Sequence, residues 1–304
     1  MTNILDMTNC TICPRQCMVN RTLNPSGFCK SSFMPKVALA SVHRFEEPSI
    51  SGTKGSGTVF FSGCNMSCVF CQNYNISQDN IGITLSIENL ADTFIAEQNK
   101  GVHNLNLVSA AQYLSQVKQA LILAKEKGLT IPVIYNSNGY ERVEALKCLD
   151  GLVDVYLPDI KYFDNTLAEE YSAAPNYFET ATKAVLEMYR QTDINKFDKD
   201  GIITKGVIVR HLVLPWQKDD SKKILWWIKE NLGDNVYVSL MSQYTPMYKA
   251  REIKKLNRKI TTYEYNSVID YFFEIGLKNG YMQARTSAQS SYTPEFDLSG
   301  IKGV

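Results

Sequence analysis

Residues 57–73 read GTVFFSGCNMSCVFCQN, an apolar run that leads directly into three closely spaced cysteines. These cysteines, Cys64, Cys68 and Cys71, form a C-x3-C-x2-C pattern. Three thiolates on one loop suit an iron-sulfur cube, because each takes one iron and the fourth iron is left open. A tetrahedral zinc site takes a fourth protein ligand at comparable spacing, and neither His nor Cys follows Cys71 closely. The pattern therefore favours an iron-sulfur cluster over zinc.

Downstream of the cysteines, short apolar runs alternate with amphipathic segments. The run TVFFSG is followed in turn by HNLNLV, TIPVIYNSNG, VDVYLPDIKY, GVIVRHLVLP and VYVSLM, and a helical pattern comes after each of them. Apolar strands of this kind are buried on both faces, as in a parallel sheet covered by helices. Six strand-helix units therefore predict an α/β fold, either an open doubly wound sheet or a full or partial (β/α) barrel.

Polar side chains stand at the carboxyl ends of the predicted strands. They are Gln112, Asn136 to Asn138, Asp159 with Lys161, and Gln243. Side chains that leave the same end of a curved parallel sheet converge on one mouth. This placement favours the barrel-like arrangement and predicts one site built from dispersed residues.

The bulk composition is that of a globular protein. Of 304 residues, 44% are hydrophobic and 21% charged, and 32 basic against 31 acidic side chains leave a formal charge of +1. A net charge this close to zero gives no electrostatic reason to expect nucleic acid or an anionic membrane as the partner. The start MTNILDMTNC lacks a leader pattern, and no apolar run approaches the roughly 20 residues of a membrane helix. A cytoplasmic location is predicted, where thiols stay reduced and available as metal ligands.

A second cysteine group lies in residues 10–29, CTICPRQCMVNRTLNPSGFC. It consists of Cys10, Cys13, Cys17 and Cys29. Four thiolates complete a closed coordination sphere, compatible with structural zinc or with an auxiliary iron-sulfur cluster, and the spacing leaves both open. A small segment with few apolar residues needs a bound metal of this kind to hold it together when it folds.

The chain is predicted to divide into three parts. Residues 1–56 form a cysteine-rich metal-binding segment in which only KVALASVHRF is patterned, residues 57–280 form the barrel, and residues 281–304 form a C-terminal tail. The Gly/Ser-rich sequence SGTKGSG marks the first boundary. The remaining cysteine, Cys148, is interpreted as a small buried side chain on a helix.

The cysteine pattern, with the aromatic Phe70 one position before Cys71 and a strand before the loop, resembles the radical S-adenosylmethionine (SAM) superfamily. The sequences FFSGCNMSCVFCQN, YNSNGY, LPDIKY and VIVRHLVLP are similar to its glycyl-radical activating branch, typified by pyruvate formate-lyase activating enzymes, over roughly residues 57–245. The resemblance implies a partial (β/α)6 TIM-like barrel with a small N-terminal metal-binding extension. It also implies a 4Fe-4S cluster and SAM at the strand ends, where reductive cleavage yields a 5'-deoxyadenosyl radical.

The same resemblance assigns roles to individual residues. Phe70 is expected to face the adenine, and Asn136, Ser137 and Asn138 to contact the ribose or methionyl part of SAM. Asp159 and Lys161 match a D-x-K pattern and are the expected catalytic pair, with Lys161 placed to pair with the SAM carboxylate; a surface salt bridge is the alternative. Arg210 could reach the same carboxylate. The histidines His43, His103 and His211 are interpreted as structural.

One loop departs from the activating enzymes. They carry a Gly-Gly-Glu element after the second strand, where this chain reads NLVSAAQY. Ser109 and Gln112 offer a hydroxyl and a neutral amide to the SAM ammonium, which bind it less strongly than a carboxylate does. Either SAM binding is weaker here, or the loop is reshaped for another substrate.

Three functions are compatible with the resemblance and with this departure. The first is activation of a glycyl-radical protein, with an external electron donor such as flavodoxin or ferredoxin. The second is radical modification of a small molecule or peptide. The third is a metal-binding protein whose catalytic site has decayed. Neither a membrane nor a nucleic acid is expected as a partner.

Overall fold

The computed structural model describes residues 4–23, 27–283 and 294–301. The strands are β1 (Lys36–His43), β2 (Ser56–Phe61), β3 (Ile83–Thr84), β4 (Leu105–Val108), β5 (Val133–Ser137), β6 (Val155–Pro158), β7 (Lys196–Phe197), β8 (Ile203–Leu212), β9 (Tyr237–Met241) and β10 (Asn279–Met282). The helices are α1 (Pro48–Ser51), α2 (Tyr74–Ser77), α3 (Ile87–Asn99), α4 (Leu114–Glu126), α5 (Val143–Leu146), α6 (Asn165–Ser172), α7 (Tyr177–Thr192), α8 (Lys218–Leu232) and α9 (Thr262–Glu274).

The sheet is mostly parallel, as the apolar strands predict. Its order is β10-β9-β8-β6-β5-β4-β2-β1-β3, with β7 paired to β8, and every neighbouring pair from β10 to β2 runs parallel. The six predicted strands are all present, and β10 is a further parallel strand that the sequence reading missed. In the described part of the chain the sheet ends at β10 and β3, which is consistent with a partial barrel.

The first strand continues the sheet beyond β2 and runs antiparallel to it. β1 pairs antiparallel with β2, with His43 opposite Ser56 and Val37 opposite Phe61. The sheet therefore continues across residue 56, where the sequence predicts a boundary between two segments. The division of the chain into three domains stays a prediction.

The two faces of the sheet bury different sets of side chains. In β5, Val133 and Tyr135 belong to the large core shared with the helices, whereas Ile134 packs in a separate cluster with Ile50 of α1 and Ile208 of β8. Alternate residues of a strand point to opposite faces, which accounts for this division. The short helix α1 thus occupies the inner side of the sheet.

The sheet is strongly curved around this inner side. The Glu46 carboxylate accepts from Asn106 Nδ2 of β4 at 3.3 Å and from Arg210 Nη1 of β8 at 3.1 Å. β4 and β8 stand three strand positions apart, which is roughly 14 Å in a flat sheet. Curvature brings both strands within reach of one carboxylate, so the inner side forms a concave pocket.

The structure divides one helical segment and corrects one local prediction. The segment from residue 168 to 191 is two helices, α6 and α7, because Pro175 interrupts it and Ala173 and Asn176 adopt positive φ angles of 48° and 52°. Cys148 is only partly buried and lies in a short 3-10 turn after α5.

Described segments near both ends of the chain contact the rest of the fold. The N-terminal segment contributes Cys10 and Cys13 to the main core. Near the other end, Ala40 of β1 donates its backbone N–H to the Ser299 carbonyl at 3.1 Å. The predicted tail at 281–304 begins inside β10, and its residues 284–293 and 302–304 lie outside the described residues.

No helix among the described residues has the length and apolar character needed to cross a bilayer. The cytoplasmic location stays a prediction.

Gly139 offers a test of how tightly the strand ends are packed. Its φ is +78°, and a Cβ there would collide with the backbone carbonyl of Asp159. Gly151 has a matched φ of +76° with nothing within 4 Å of a Cβ. Gly151→Ala should lower the free energy of unfolding by about 1 kcal/mol through backbone strain alone. Gly139→Ala should cost at least about 2 kcal/mol more, because backbone must also move. Urea unfolding of both variants measures the difference, and equal losses would contradict this packing.

Candidate active site at the carboxyl ends of the strands

A cavity of about 730 Å³ opens at the carboxyl ends of the parallel strands. The structure brings most of the predicted site residues into its wall: Cys64, Cys68, Phe70, Cys71, Ser109, Asn136, Asn138, Asp159, Lys161 and Arg210. Its size is typical of pockets for cofactors and small molecules. The dispersed strand ends thus converge on one place, as predicted.

Each of the three cavity cysteines faces a polar hydrogen. Cys64 Sγ accepts from the Met66 backbone N–H and from Asn138 Nδ2, both at 3.4 Å. Cys68 Sγ accepts from the Ser172 hydroxyl at 3.0 Å, and Cys71 Sγ lies 3.3 Å from the Ser77 hydroxyl. Hydrogen bonds to sulfur stabilise thiolates and tune iron-sulfur clusters. The donors around the three sulfurs therefore fit thiolate ligands.

Without a bound metal these thiols hold their protons strongly. Burial raises the pKa of Cys64 to about 12 and that of Cys68 to about 11, and it also raises the pKa of Cys71. Metal binding displaces such protons, so it is coupled to the charge of the site. Within the described ranges, no group of three or more Cys, His, Asp or Glu side chains is arranged to hold a metal ion as it stands. The fit to a cube therefore rests on the chemistry of the donors.

Asp159 and Lys161 form a close ion pair in the cavity wall. Lys161 Nζ lies 2.6 Å from Asp159 Oδ2, and both side chains are mostly buried. Burial opposes the charge on Lys161, but Asp159 and the nearby Cys68 outweigh it and the pKa of Lys161 is raised. The pair is therefore part of the cavity and not a surface turn, and Lys161 stays charged beside the cysteine loop.

Arg210 points into the cavity and is surrounded by acids. Its guanidinium lies 3.1 Å from Glu46 Oε2, and its Nε lies 3.7 Å from both Glu47 Oε1 and Asp159 Oδ1. Burial disfavours the charge, but the three carboxylates prevail and the pKa of Arg210 is raised. The charge of Arg210 is thus balanced by carboxylates of the protein itself. Its contact with the SAM carboxylate stays a prediction.

Gln112 lies outside the cavity wall. Its side-chain amide faces the backbone carbonyls of Ser62, Gly63 and Ser109 at 3.1, 3.0 and 2.7 Å. Gln112 is fully buried and ties the end of β4 to the start of the cysteine loop. This position suits a brace for that loop better than a contact with SAM.

Ser137 also faces away from the cavity, towards a buried carboxyl group. Its hydroxyl donates to Glu141 Oε1 and accepts from the Gly139 N–H at 3.0 Å. The Tyr135 hydroxyl donates to Glu141 Oε2 at 2.9 Å. Burial raises the pKa of Glu141 to about 7, although both hydroxyls favour the charged form. Glu141 thus supports the Asn136 to Asn138 loop from beneath, a role that no sequence pattern signalled.

The N-terminal cysteines lie together at some remove from this cavity. Burial raises the pKa of Cys13 to about 12, and the charges of Cys29, Cys10 and Cys17 raise it further. Between them on the chain, Arg15 donates through Nε to the Asn65 carbonyl at 2.9 Å and through Nη2 to the Ala173 carbonyl. The N-terminal segment is therefore joined to the cavity loop that carries Cys64.

The histidines follow their predicted structural roles in two cases. Both ring nitrogens of His211 are hydrogen-bonded, to the Ile160 carbonyl at 2.7 Å and the Ser221 hydroxyl at 2.8 Å, and burial lowers its pKa to about 4. His103 accepts from the Lys54 N–H at 3.2 Å. His43, in contrast, lies in the cavity wall against Phe60.

Comparisons with known proteins agree with this site. Residues 58–225, more than half of the chain, match the model of the Radical SAM superfamily. An uncharacterised protein of Methanocaldococcus jannaschii is 36% identical over 275 residues, which cover 86% of this chain and 73% of the relative.

Two solved structures also align with part of this chain. The Streptococcus suis protein SuiB bound to S-adenosylmethionine gives a TM-score of 0.49 at 13% identity over 73% of this chain, and methylornithine synthase (PylB) gives 0.47 at 16% over 70%. The match spans 48% and 60% of those two chains respectively.

The buried Glu141 predicts a pH-dependent stability. Its folded pKa of about 7 lies above the ordinary 4.5, so the folded state holds a proton that the unfolded state releases. Stability should therefore fall as the pH rises from about 4.5 to about 7 and then level off. Between pH 5 and 7.5, wild type should lose on the order of 2 kcal/mol more than Glu141→Gln.

Urea unfolding of equally metal-loaded proteins at the two pH values measures this difference. His211 contributes the opposite slope, but it is common to both proteins and cancels. The exposed Glu126→Gln should behave as wild type. Parallel pH dependence of wild type and Glu141→Gln would show that Glu141 is ionised throughout.

Proposed function

Because the chain belongs to the radical SAM superfamily, we propose that it is an enzyme that reductively cleaves SAM at a 4Fe-4S cluster ligated by Cys64, Cys68 and Cys71. The family implies both the cluster and SAM. When bound, a cluster with one open iron supplies the electron that converts SAM to methionine and a 5'-deoxyadenosyl radical. The observation that carries the proposal is the set of three sulfurs, each facing a polar hydrogen, in the wall of one cavity.

The chain's own residues bind and orient SAM. Lys161 offers a positive charge to the SAM carboxylate, and its pair with Asp159 fixes where that charge lies. The Asn136 amide lines the cavity and suits the ribose hydroxyls or the methionyl group. Asn138 also lines the cavity, but its amide donates to Cys64 Sγ and Asn65 Oδ1 and accepts from the Tyr140 N–H, so it holds the cysteine loop in place. The mostly apolar wall beside Phe70 keeps water from the reacting atoms.

Glycyl-radical activation is the more specific role that the sequence motifs favour. The strings FFSGCNMSCVFCQN, YNSNGY and LPDIKY support it. The target would then be a backbone glycine of a partner protein, and flavodoxin or ferredoxin would supply the electron.

A small-molecule or peptide substrate is the second candidate, and one observation favours it. The cavity carries the buried carboxylates of Glu46 and Glu47 beside Arg210, and neither glutamate is among the residues expected to contact SAM. Polar groups of this kind select a small polar ligand. Transfer of deuterium into 5'-deoxyadenosine from a labelled glycyl-radical protein, or instead from a labelled metabolite, separates the two candidates.

The N-terminal cysteines Cys10, Cys13, Cys17 and Cys29 are the proposed ligands of a second metal centre. Their mutual proximity supports this. The centre is either structural zinc or a second 4Fe-4S cluster.

Replacing one cluster ligand should abolish turnover. Cys68→Ala leaves a cube with two thiolates, so formation of 5'-deoxyadenosine by reduced, anaerobically reconstituted protein should fall by more than about a hundredfold. Chromatography of the quenched reaction measures the product. The matched control is Cys148→Ala, which removes a thiol far from the cavity and should retain activity. Absence of product from wild type would favour the decayed metal-binding protein.

Metal analysis of the same sample addresses the second centre. About eight irons per chain would mean two cubes, and about four irons with one zinc would mean a zinc staple. Cys13→Ser should lose the second centre and keep the irons at Cys64, Cys68 and Cys71. A wild-type protein with about four irons and no zinc would reject the proposal.

A further inference from the structure

The inner wall of the cavity holds two glutamates that the SAM-binding residues do not account for. Glu46 and Glu47 lie between β1 and α1, and both line the cavity together with Arg210. Glu46 is fully used within the protein, because one carboxylate oxygen accepts from Asn106 and the other from Arg210. Glu47, in contrast, has a carboxylate oxygen without a hydrogen-bond partner.

The Glu47 carboxylate is buried and incompletely satisfied. Its side chain is only 6% exposed, and Oε2 has no hydrogen-bond partner. Oε1 lies 3.7 Å from Arg210 Nε, beyond hydrogen-bond distance, and that Nε is also without a partner. A buried polar group without a partner is costly, and a buried charge more so.

The count of charges points the same way. Lys161 lies at hydrogen-bond distance from Asp159, and Arg210 at hydrogen-bond distance from Glu46. Among these five buried or mostly buried side chains there are three acids and two bases, and Arg44, a further base in the cavity wall, is exposed to solvent. Glu47 is the acid among the five that has no base at hydrogen-bond distance. Burial raises the pKa of Glu47, and Arg210 together with the Ser239 hydroxyl near the carboxylate offsets this only in part. A cation bound at Oε2 would remove the imbalance.

We propose that Glu47, supported by Glu46, is a binding subsite for the ammonium or guanidinium group of a small-molecule substrate. The role of this subsite in a reaction rests on the proposed function, whereas the buried carboxylate that forms it is present whether or not SAM is cleaved. A bound cation would donate to Glu47 Oε2 and would leave Arg210 paired with Glu46 and Asp159.

Two sources could supply such a cation, the second substrate and the ammonium of SAM itself. Glu47 is flanked by Ser239 of β9, Arg210 of β8 and Tyr281 of β10. The sulfur of Cys64, in contrast, contacts Asn138 after β5. Glu47 therefore belongs to the β8–β10 side of the cavity, which favours the second substrate.

The test uses full-length, anaerobically reconstituted protein with SAM bound. The probes are n-butylammonium, neutral n-butanol and anionic butanoate, and ligand-observed NMR measures their dissociation constants. Wild type should bind butylammonium more tightly than both other probes. Glu47→Gln should weaken butylammonium about tenfold, as expected for loss of a charged hydrogen bond, and should change SAM affinity less than twofold. The exposed Glu126→Gln is the matched control and should bind all probes as wild type does.

Glu46→Gln provides a second route should Glu47→Gln misfold, which near-UV circular dichroism reports. Without the Glu46 charge, Arg210 neutralises Glu47 more fully, so butylammonium should again bind more weakly. The proposal is overturned if wild type shows no preference for butylammonium, or if neither variant weakens it. It is equally overturned if Glu47→Gln weakens SAM instead, because the cation recognised would then be that of SAM. A wild type that binds the probe but forms no 5'-deoxyadenosine would retain the subsite and reject the proposed function.

Discussion

The loop that carries Cys64, Cys68 and Cys71 is the point to which the surrounding elements are tied. Its backbone at Ser67 and Val69 donates to carbonyls at the end of α6, and Gly63 donates to the carbonyl of Ile76 in α2. These bonds hold the sulfurs in a buried place where a proton is hard to remove. Burial is unfavourable for free thiolates, although Lys161 favours the charge on Cys68 and Cys71, and the thiolates become favourable once a metal replaces their protons. The fold therefore creates a site whose charge balance is completed by a metal.

Much of the fold could be predicted from the sequence because the parallel strands are continuous apolar runs. The strand β10 was missed because its sequence, Asn279–Met282, is short and contains a glycine, which reads as a turn. Gly280 is there because any side chain would collide with the backbone of Val238 in β9, a constraint that only the packed sheet reveals. The break between α6 and α7 had a local signal in Pro175, but helical periodicity on both sides concealed it.

The site was predictable to the extent that its residues are local in sequence. The cysteine spacing and the Asp159–Lys161 pair could be found because each lies within a few residues of chain. The orientation of the Gln112 side chain towards backbone carbonyls could not be predicted, because it depends on how the end of β4 meets the cysteine loop. The serine hydroxyls beside Cys68 and Cys71 come from separate helices, and no pattern in the sequence links Ser172 to a sulfur 104 positions away.

The placement of negative charge distinguishes this cavity from that of the activating enzymes it resembles. Those enzymes carry a glutamate after the second parallel strand, where this chain has a neutral loop ending at Gln112. Here the carboxylates of Glu46 and Glu47 enter instead from the segment before α1. Glu46 pairs with Arg210 on the far side of the curved sheet at 3.1 Å, and Glu47 lies 3.7 Å from it. A charge moved across the cavity changes which end of a bound molecule it attracts, since electrostatic attraction weakens with distance and is strongest where water is excluded. With Glu47 as the cation subsite that we propose, the cysteine loop and Lys161 would serve the chemistry common to the superfamily, and Glu47 would bind the second substrate.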